Sequence, residues 1–374
     1  MKVIHFIASI DKTGGGTTAY MKIVAEGLAK FNINQIIISG RSDNPVEIHG
    51  VKLKLFESLG LTPFHRVRVK GLLKSYISIL KLEKPDIIHI NGLWNYENSL
   101  FQKAAKSLNI KVILSPHGML EPYILNRNSL KKKIALFLYQ KQSLQKVDAI
   151  HATALSELEQ IQSLGYHNPS IVIPNGIDTN VIPQKKWKIN KEGKIKNLLF
   201  LSRVHPKKGI DLLIKAVSKL DNKYLRITIA GNGEEGYINE LKKLTKDLSL
   251  TDQFNFVGPL YGNKKWELYG KSDVFILPSY SENFGIVIAE ALHIGLPVIT
   301  TTGTPWKELQ THHCGWWVDL SVSNLVSTLE EVIELDNELL QEMGENGKEL
   351  IKMKYTVESV TKAMFSFYNS CISK

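Results

Sequence analysis

The sequence is short of the residues that build metal sites and disulfide scaffolds. Only two of its 374 residues are cysteine, Cys314 and Cys371, far apart and in unlike surroundings. They offer neither a disulfide framework nor zinc spacing, which suits a reducing compartment. No D-x-D occurs, the nearest approach being Asp336-Asn337-Glu338, and there is no H-E-x-x-H. A tightly held catalytic metal is therefore not expected. No run of 18 or more apolar residues exists, so no transmembrane helix is expected. The phosphate-binding pattern G-x-x-x-x-G-K-[ST] is missing too. The glycine loop Gly14-Gly15-Gly16-Thr17-Thr18 departs from G-x-G-x-x-G, and no acidic residue ends NQIIISG where a ribose-binding group would stand. Both absences count against an NAD-dependent oxidoreductase. The opening MKVIHFIASIDKTGGG reads as a strand feeding that loop rather than as a secretion signal, so a cytoplasmic location is expected.

The length suggests two domains, and 43% hydrophobic with 22% charged residues is ordinary for a globular chain. Charge is uneven. Residues 1–183 hold 22 Lys/Arg against 13 Asp/Glu, which is most of the net +11. The excess gathers at Arg66, Arg68, Lys70 and Lys74, and again at Lys131, Lys132, Lys133, Lys141 and Lys146. Such a face could meet nucleic acid, an anionic membrane surface or a phosphorylated substrate, and no nucleic-acid partner is expected. Strand-like runs (KVIHFIAS, NQIIISG, VKLKLF, PDIIHINGL, KVILSPHG, DAIHAT, SIVIPNGI) alternate with helical stretches, among them a long basic amphipathic one over about 128–146. Residues 180–193 break the pattern and read as linker; the alternation restarts with NLLFLSR, LRITIAG, QFNFVG, DVFILP and PVITT. This predicts two successive doubly wound α/β domains, with the ligand in a cleft beyond the carboxyl ends of their strands.

Residues 278–299 carry the strongest chemical signal. Glu282 precedes Gly285, which opens an apolar helical run, and Glu290 lies within that run beside Ala289 and Ala291. A carboxylate in such company is rarely buried without a partner. Eight residues of helix rise about 12 Å, enough for two carboxylates to hold the ends of one elongated polar ligand. Arg203 and Lys208 flank the turn after NLLFLS, directly before a helix, and could cradle a pyrophosphate. Lys207 competes with Lys208 for that role. Glycine turns end two more strands, at Gly231 and at Val257-Gly258-Pro259-Leu260, where backbone could meet a planar base. His117 ends a strand of the first half.

In combination, the glycine loop, HGM, PNGID, SRVHPKKGID, IAGNGE, FVGPL and SENFGIVIAEALHIGLPVI, in this order, resemble the retaining glycosyltransferases of family 4. The last segment matches their E-x7-E element, and Arg203 with Lys208 matches their diphosphate pair. HGMLEP, GTPWKEL and CGWWV look like bacterial members that assemble surface polysaccharides or other glycans. The resemblance implies the GT-B fold: two Rossmann-like domains facing a central cleft, with residues 1–183 binding acceptor, 184–354 binding a nucleotide-sugar donor, and 355–374 crossing back to the first domain. It implies that Glu282, with the backbone of Asn283, Phe284 and Gly285, holds the donor sugar, and that Glu290 binds the ribose. Arg203 and Lys208 would hold the diphosphate with Gly15 and Gly16 nearby, His117 would lie by the reacting centre, and backbone near Gly231, Val257, Gly258 and Leu260 would meet the base. The implied donor is a UDP- or GDP-sugar, with no metal or other cofactor, and the implied acceptor a glycan or polyprenyl-pyrophosphate-linked glycan set by loops 60–70 and 119–130. A nucleotide-sugar epimerase of the same fold and a two-lobed sugar-binding protein are the other readings; the latter's periplasmic setting would need a secretion signal.

Overall fold

The computed structural model describes all residues except 13–15, 41, 57–61, 63, 127–128, 184–194, 221 and 374. The chain forms two compact units, Met1–Gly176 with Val357–Lys374, and Ile177–Thr356. The first is built on strands β1 (Lys2–Ile7), β2 (Asn34–Gly40), β3 (Lys52–Phe56), β4 (Ile87–Asn91), β5 (Lys111–Ser115), β6 (Ala149–Ala152) and β7 (Ser170–Val172), all parallel in the order β3-β2-β1-β4-β5-β6-β7. The second uses β8 (Lys196–Leu201), β9 (Leu225–Ala230), β10 (Phe254–Gly258), β11 (Val274–Leu277), β12 (Val298–Thr301) and β13 (Gly315–Val318), parallel in the order β10-β9-β8-β11-β12-β13. Both sheets reverse direction of growth beside their first strand, between β1 and β4 and between β8 and β11. At such a switch point the two flanking loops diverge and leave a crevice for ligand.

Strand side chains alternate between faces, and the first sheet uses this to build two cores. Ile4, Phe6, Ile88, Ile90, Val112 and Leu114 face one way, toward helices Arg66–Glu83 and Tyr96–Ser107. Val3, Ile7, Ile37, Ile87 and Ile113 face the other, under helices Gly16–Ala29 and Val357–Ile372. By the same alternation His5, Gln35, His89, Ser115 and His151 sit on this second face as a buried polar layer. Each finds a partner, as a buried polar group must. Tyr368 of the C-terminal helix meets His89 Nδ1 at 2.6 Å, His89 Nε2 meets Ser115 Oγ at 2.6 Å, Ser115 Oγ meets His151 Nδ1 at 2.7 Å, and His151 Nε2 meets the Ile173 carbonyl at 2.8 Å. Only acceptance is open to that carbonyl, so His151 carries its proton on Nε2. Ser115 must then donate to His151, His89 to Ser115, and Tyr368 to His89. The C-terminal helix thus belongs to the first unit through both packing and hydrogen bonding. Gly27 permits its close approach, because a Cβ there would stand 2.3 Å from the Thr361 methyl.

The unit boundaries differ from those expected at 183/184 and 354/355. Ile177 donates its amide to Tyr355 at 2.8 Å and bridges Thr356, and Ile182 is buried in the second unit's core. Residues 177–183 are therefore part of that unit, with a short 3-10 turn at Thr179–Val181, and the C-terminal helix begins at Val357. The linker expected at 180–193 lies outside the described residues from 184 on. The basic helix expected over 128–146 is Ser129–Ala135 and Lys141–Lys146 joined by a π turn at Leu136–Gln140, with a separate helix at Pro122–Asn126. The wider turn lets Gln140 accept from the Trp94 amide at 3.0 Å while the Tyr139 hydroxyl donates to the Trp94 carbonyl at 2.5 Å. No helix among the described residues is long and apolar enough to cross a membrane.

Candidate functional site

At the second unit's switch point two loops meet. The loop after β8 carries Arg203 and Lys208; the loop after β11 carries Glu282, Asn283, Phe284 and Gly285. They are tied by backbone: the Tyr280 amide donates to the Lys207 carbonyl at 2.8 Å, and the Ser279 hydroxyl to the same oxygen at 3.2 Å. A third loop supports them, the Glu282 amide donating to Gly303 at 2.9 Å. Lys208 and Glu282 form an ion pair with side chains 10% and 14% exposed. Arg203 is exposed and makes no hydrogen bond or ion pair with the described residues. Lys207 is half-buried and supplies backbone to the junction, so of the two neighbouring lysines Lys208 is the one paired with Glu282.

Phe284 points inward. Its ring packs 5.2 Å from Trp306 and 5.7 Å from Tyr355, and its carbonyl accepts from the Trp306 indole. This anchor aims the following backbone. Gly285, at φ 78°, is the N-cap of helix Ile286–Ile294, whose first amides have no partner within the helix. One turn in, Glu290 is held by two groups on helix Gly262–Gly270: Lys265 Nζ at 2.6 Å on one oxygen and the Tyr269 hydroxyl at 3.0 Å on the other. Lys265 also lies 4.4 Å over the Trp266 ring. Burial and the Glu290 charge hold the Tyr269 hydroxyl far above its ordinary pKa, so it donates. Glu282 and Glu290 therefore each have their own cation.

The glycine turns sit on the same edge. A Cβ on Gly231 would stand 1.8 Å from the Ser202 carbonyl, so only glycine lets β9's exit pass under the Arg203 loop. The Gly231 amide donates to Gly258 at 2.9 Å, linking it to β10, where a bulge between Phe256 and Gly258 leaves Val257 out of register. Leu260 is partly buried against the core.

In the first unit Gly16 begins helix Gly16–Ala29, while Gly15 lies outside the described residues. His117 follows β5 with a left-handed backbone, φ 54°. Its Nε2 lies 3.0 Å from Asn91 Oδ1, while the Asn91 amide nitrogen donates to the His89 carbonyl at 3.2 Å. The Asn91 oxygen can only accept, so His117 is the Nε2–H tautomer. Burial, with a smaller contribution from His151, lowers its pKa to about 3, and the ring is neutral at ordinary pH. Among the described residues, no group of three or more His, Cys, Asp and Glu is placed to hold a metal ion.

Sequence reasoning did not single out Lys265, Tyr269, Asn91 or Glu157. Lys265 and Tyr269 are four apart, hence on one helix face, but nothing in the order of residues says which face meets Glu290.

Two family models match successive parts of the chain. Residues 14–181 match "Glycosyltransferase Family 4" and residues 181–350 match "Glycosyl transferases group 1". An uncharacterized glycosyltransferase of Haemophilus influenzae is 27% identical, covering 96% of this chain and 98% of the relative. The lipopolysaccharide core biosynthesis glycosyltransferase LpsE of Rhizobium meliloti is 28% identical over 55% of this chain and 59% of its own length. Among solved structures, sucrose-phosphate synthase of Thermosynechococcus elongatus superposes with a TM-score of 0.79 at 16% identity, covering 100% of this chain and 99% of the other. Anabaena HepE in complex with UDP and glucose gives 0.73 at 17%, covering 99% and 100%. Fold, motif order and family matches agree: this chain belongs to the GT-B glycosyltransferases, a family 4 domain followed by a group 1 glycosyl transferase domain.

Proposed function

We propose that the chain transfers a sugar from a UDP- or GDP-sugar to a hydroxyl of a glycan or lipid-linked glycan, with retention of anomeric configuration and without a metal ion. The observation that carries this is the junction of Lys208 with Glu282 at the switch point, with Arg203, which has no partner among the described residues, on the same loop. As the anomeric C–O bond breaks, negative charge grows on the leaving diphosphate. Arg203, Lys208 and the amides at the start of helix Ile286–Ile294 would stabilise it by preorganised charge. Glu282 takes the sugar hydroxyls together with the backbone of Asn283, Phe284 and Gly285. Glu290, oriented by Lys265 and Tyr269, takes the ribose. By the resemblance, Gly16 would contact the diphosphate, and backbone at Gly231, Val257, Gly258 and Leu260 would receive the base. His117 acts at the reacting centre as a neutral ring whose Nδ1 has no partner among the described residues. The acceptor oxygen attacks from the face the diphosphate leaves, and its proton passes to a phosphate oxygen. The complex of the similarly folded HepE with UDP and glucose supports a UDP-linked donor. The matched families describe glycosyl transferases, which leaves the epimerase reading without support.

The relatives of lipopolysaccharide and O-antigen biosynthesis favour a glycan acceptor. Exposed Leu130, Ile134, Phe137 and Leu138, beside Lys131, Lys133 and Lys141, favour work at the cytoplasmic face of an anionic membrane. Turnover of Arg203→Ala with a nucleotide-sugar donor tests the core of the reading. Loss of rate on the order of 10²–10³ is expected; near-normal turnover removes Arg203 from leaving-group stabilisation. Salt-sensitive binding to anionic vesicles tests the membrane part, and absence of binding overturns it.

A further inference from the structure

The carboxylate of Glu157 does two jobs on two different elements. It lies on helix Leu155–Ser163 and is buried, 3% exposed. One oxygen, Oε2, accepts from the Thr153 amide at 2.6 Å and from the Thr153 hydroxyl at 2.8 Å. That is the bond a glutamate in the first turn makes to the start of its own helix, and it would satisfy a purely local capping role. The other oxygen, Oε1, leaves the helix and accepts from the Gly118 amide at 2.5 Å.

Gly118 and His117 are consecutive left-handed residues, at φ 73° and 54°. For histidine that backbone is uncommon and persists only where its surroundings over-determine it. Three contacts do so. Asn91 fixes the ring at Nε2, the Tyr20 ring packs edge-on at 4.7 Å, and Glu157 fixes the amide that follows. Asn91 and Tyr20 act on the side chain; among these three only Glu157 grips the backbone of the turn. We propose that Glu157 is a positioning residue for sugar transfer: by sharing its carboxylate between Thr153 and Gly118 it locks the turn that presents the His117 ring. The proposal rests on the reading of His117 as a group at the reacting centre. Glu157 touches no reactant and acts through His117.

The test compares Glu157→Gln, His117→Ala and the double variant in steady-state transfer, well below the melting temperature of each. An amide at 157 cannot accept on both sides, so the turn loosens. A displacement of about 1 Å at a reacting group can cost 10²-fold, and a 10–100-fold fall in kcat is expected with donor KM unchanged. Because Glu157 acts through His117, adding Glu157→Gln to His117→Ala should lower kcat no further. If His117→Ala is slow but Glu157→Gln retains full kcat, the positioning role is refuted and the reading of His117 stands. If the two losses multiply, Glu157 acts elsewhere and the proposal is refuted. If His117→Ala turns over normally, the reading of His117 fails and the proposal with it. Should Glu157→Gln not fold, Thr153→Val serves. It removes one of the three bonds to the carboxylate, so a smaller fall in kcat that vanishes in the His117→Ala background is expected, and an unchanged kcat overturns the proposal.

Discussion

Replacing Lys208 by methionine should destabilise the second unit and disable the enzyme by the same physical cause. The side chains of Lys208 and Glu282 are 10% and 14% exposed, so the carboxylate left behind would be largely cut off from water. Removing one member of a fully buried ion pair costs about 3–5 kcal/mol. The residual exposure here brings the expectation to about 2–3 kcal/mol. For a unit of this size each kcal/mol lowers Tm by about 2–4 °C, so the second unit should melt about 4–12 °C earlier. Lys208→Met/Glu282→Gln has no stranded charge and should recover most of the loss, which single and double variants measured by urea unfolding would reveal as a coupling of about 1.5 kcal/mol or more. Lys208→Met should also lose on the order of 10²–10³ in turnover, since the cation proposed to face the leaving group is gone. Single-variant losses that add to within about 0.5 kcal/mol would show that the pair contributes nothing.

Other consequences concern the first unit's polar layer and the loop edges. Burial lowers the pKa of His5 and of His151 to about 4, and of His89 well below its ordinary value, so all three are neutral in the folded chain. Unfolded histidines titrate near 6.5 and take up protons that the fold refuses. Stability is therefore full above pH 6.5 and falls as pH drops toward 4, by about 1–2 kcal/mol per histidine at pH 5; a urea midpoint of the first unit equal at pH 7 and pH 5 would contradict this. Tyr368→Phe strands His89 Nδ1 in the core and should cost about 1–3 kcal/mol, read as an earlier melt of the first unit; an unchanged melt refutes the assigned direction of the hydrogen-bond chain. Gly231→Ala drives a methyl into the Ser202 carbonyl and should cost about 2 kcal/mol or more while weakening nucleotide binding; a variant as stable as the parent refutes the close approach.

Much of this was legible from pattern. Apolar runs as short as DVFILP and PVITT, each next to a proline, read as strands buried on both faces, and their alternation with helices points to parallel sheets. Arg203, Lys208, Glu282 and Gly285 were visible because strand ends and helix starts mark a ligand edge. What stayed hidden depends on distance along the chain. Nothing local distinguishes Lys265 and Tyr269 from a solvated helix face, and Glu157 reads as a capping residue until Gly118 is seen beside its second oxygen. His5, His89 and His151 look like polar interruptions of buried strands; only the sheet register brings them together under Tyr368. The boundary at Ile177 was missed for a similar reason, since its partner Tyr355 lies at the other end of the unit.

The central claim, that the second unit grips a nucleotide sugar through Arg203, Lys208, Glu282 and Glu290, is tested most directly by calorimetric titration with a panel of UDP- and GDP-sugars. Saturable binding of at least one, abolished or strongly weakened in Arg203→Ala, and much weaker binding of the matching nucleoside, are the results the account predicts. Folded wild-type protein that binds no nucleotide sugar in the panel, or binds one equally well without Arg203, would contradict it.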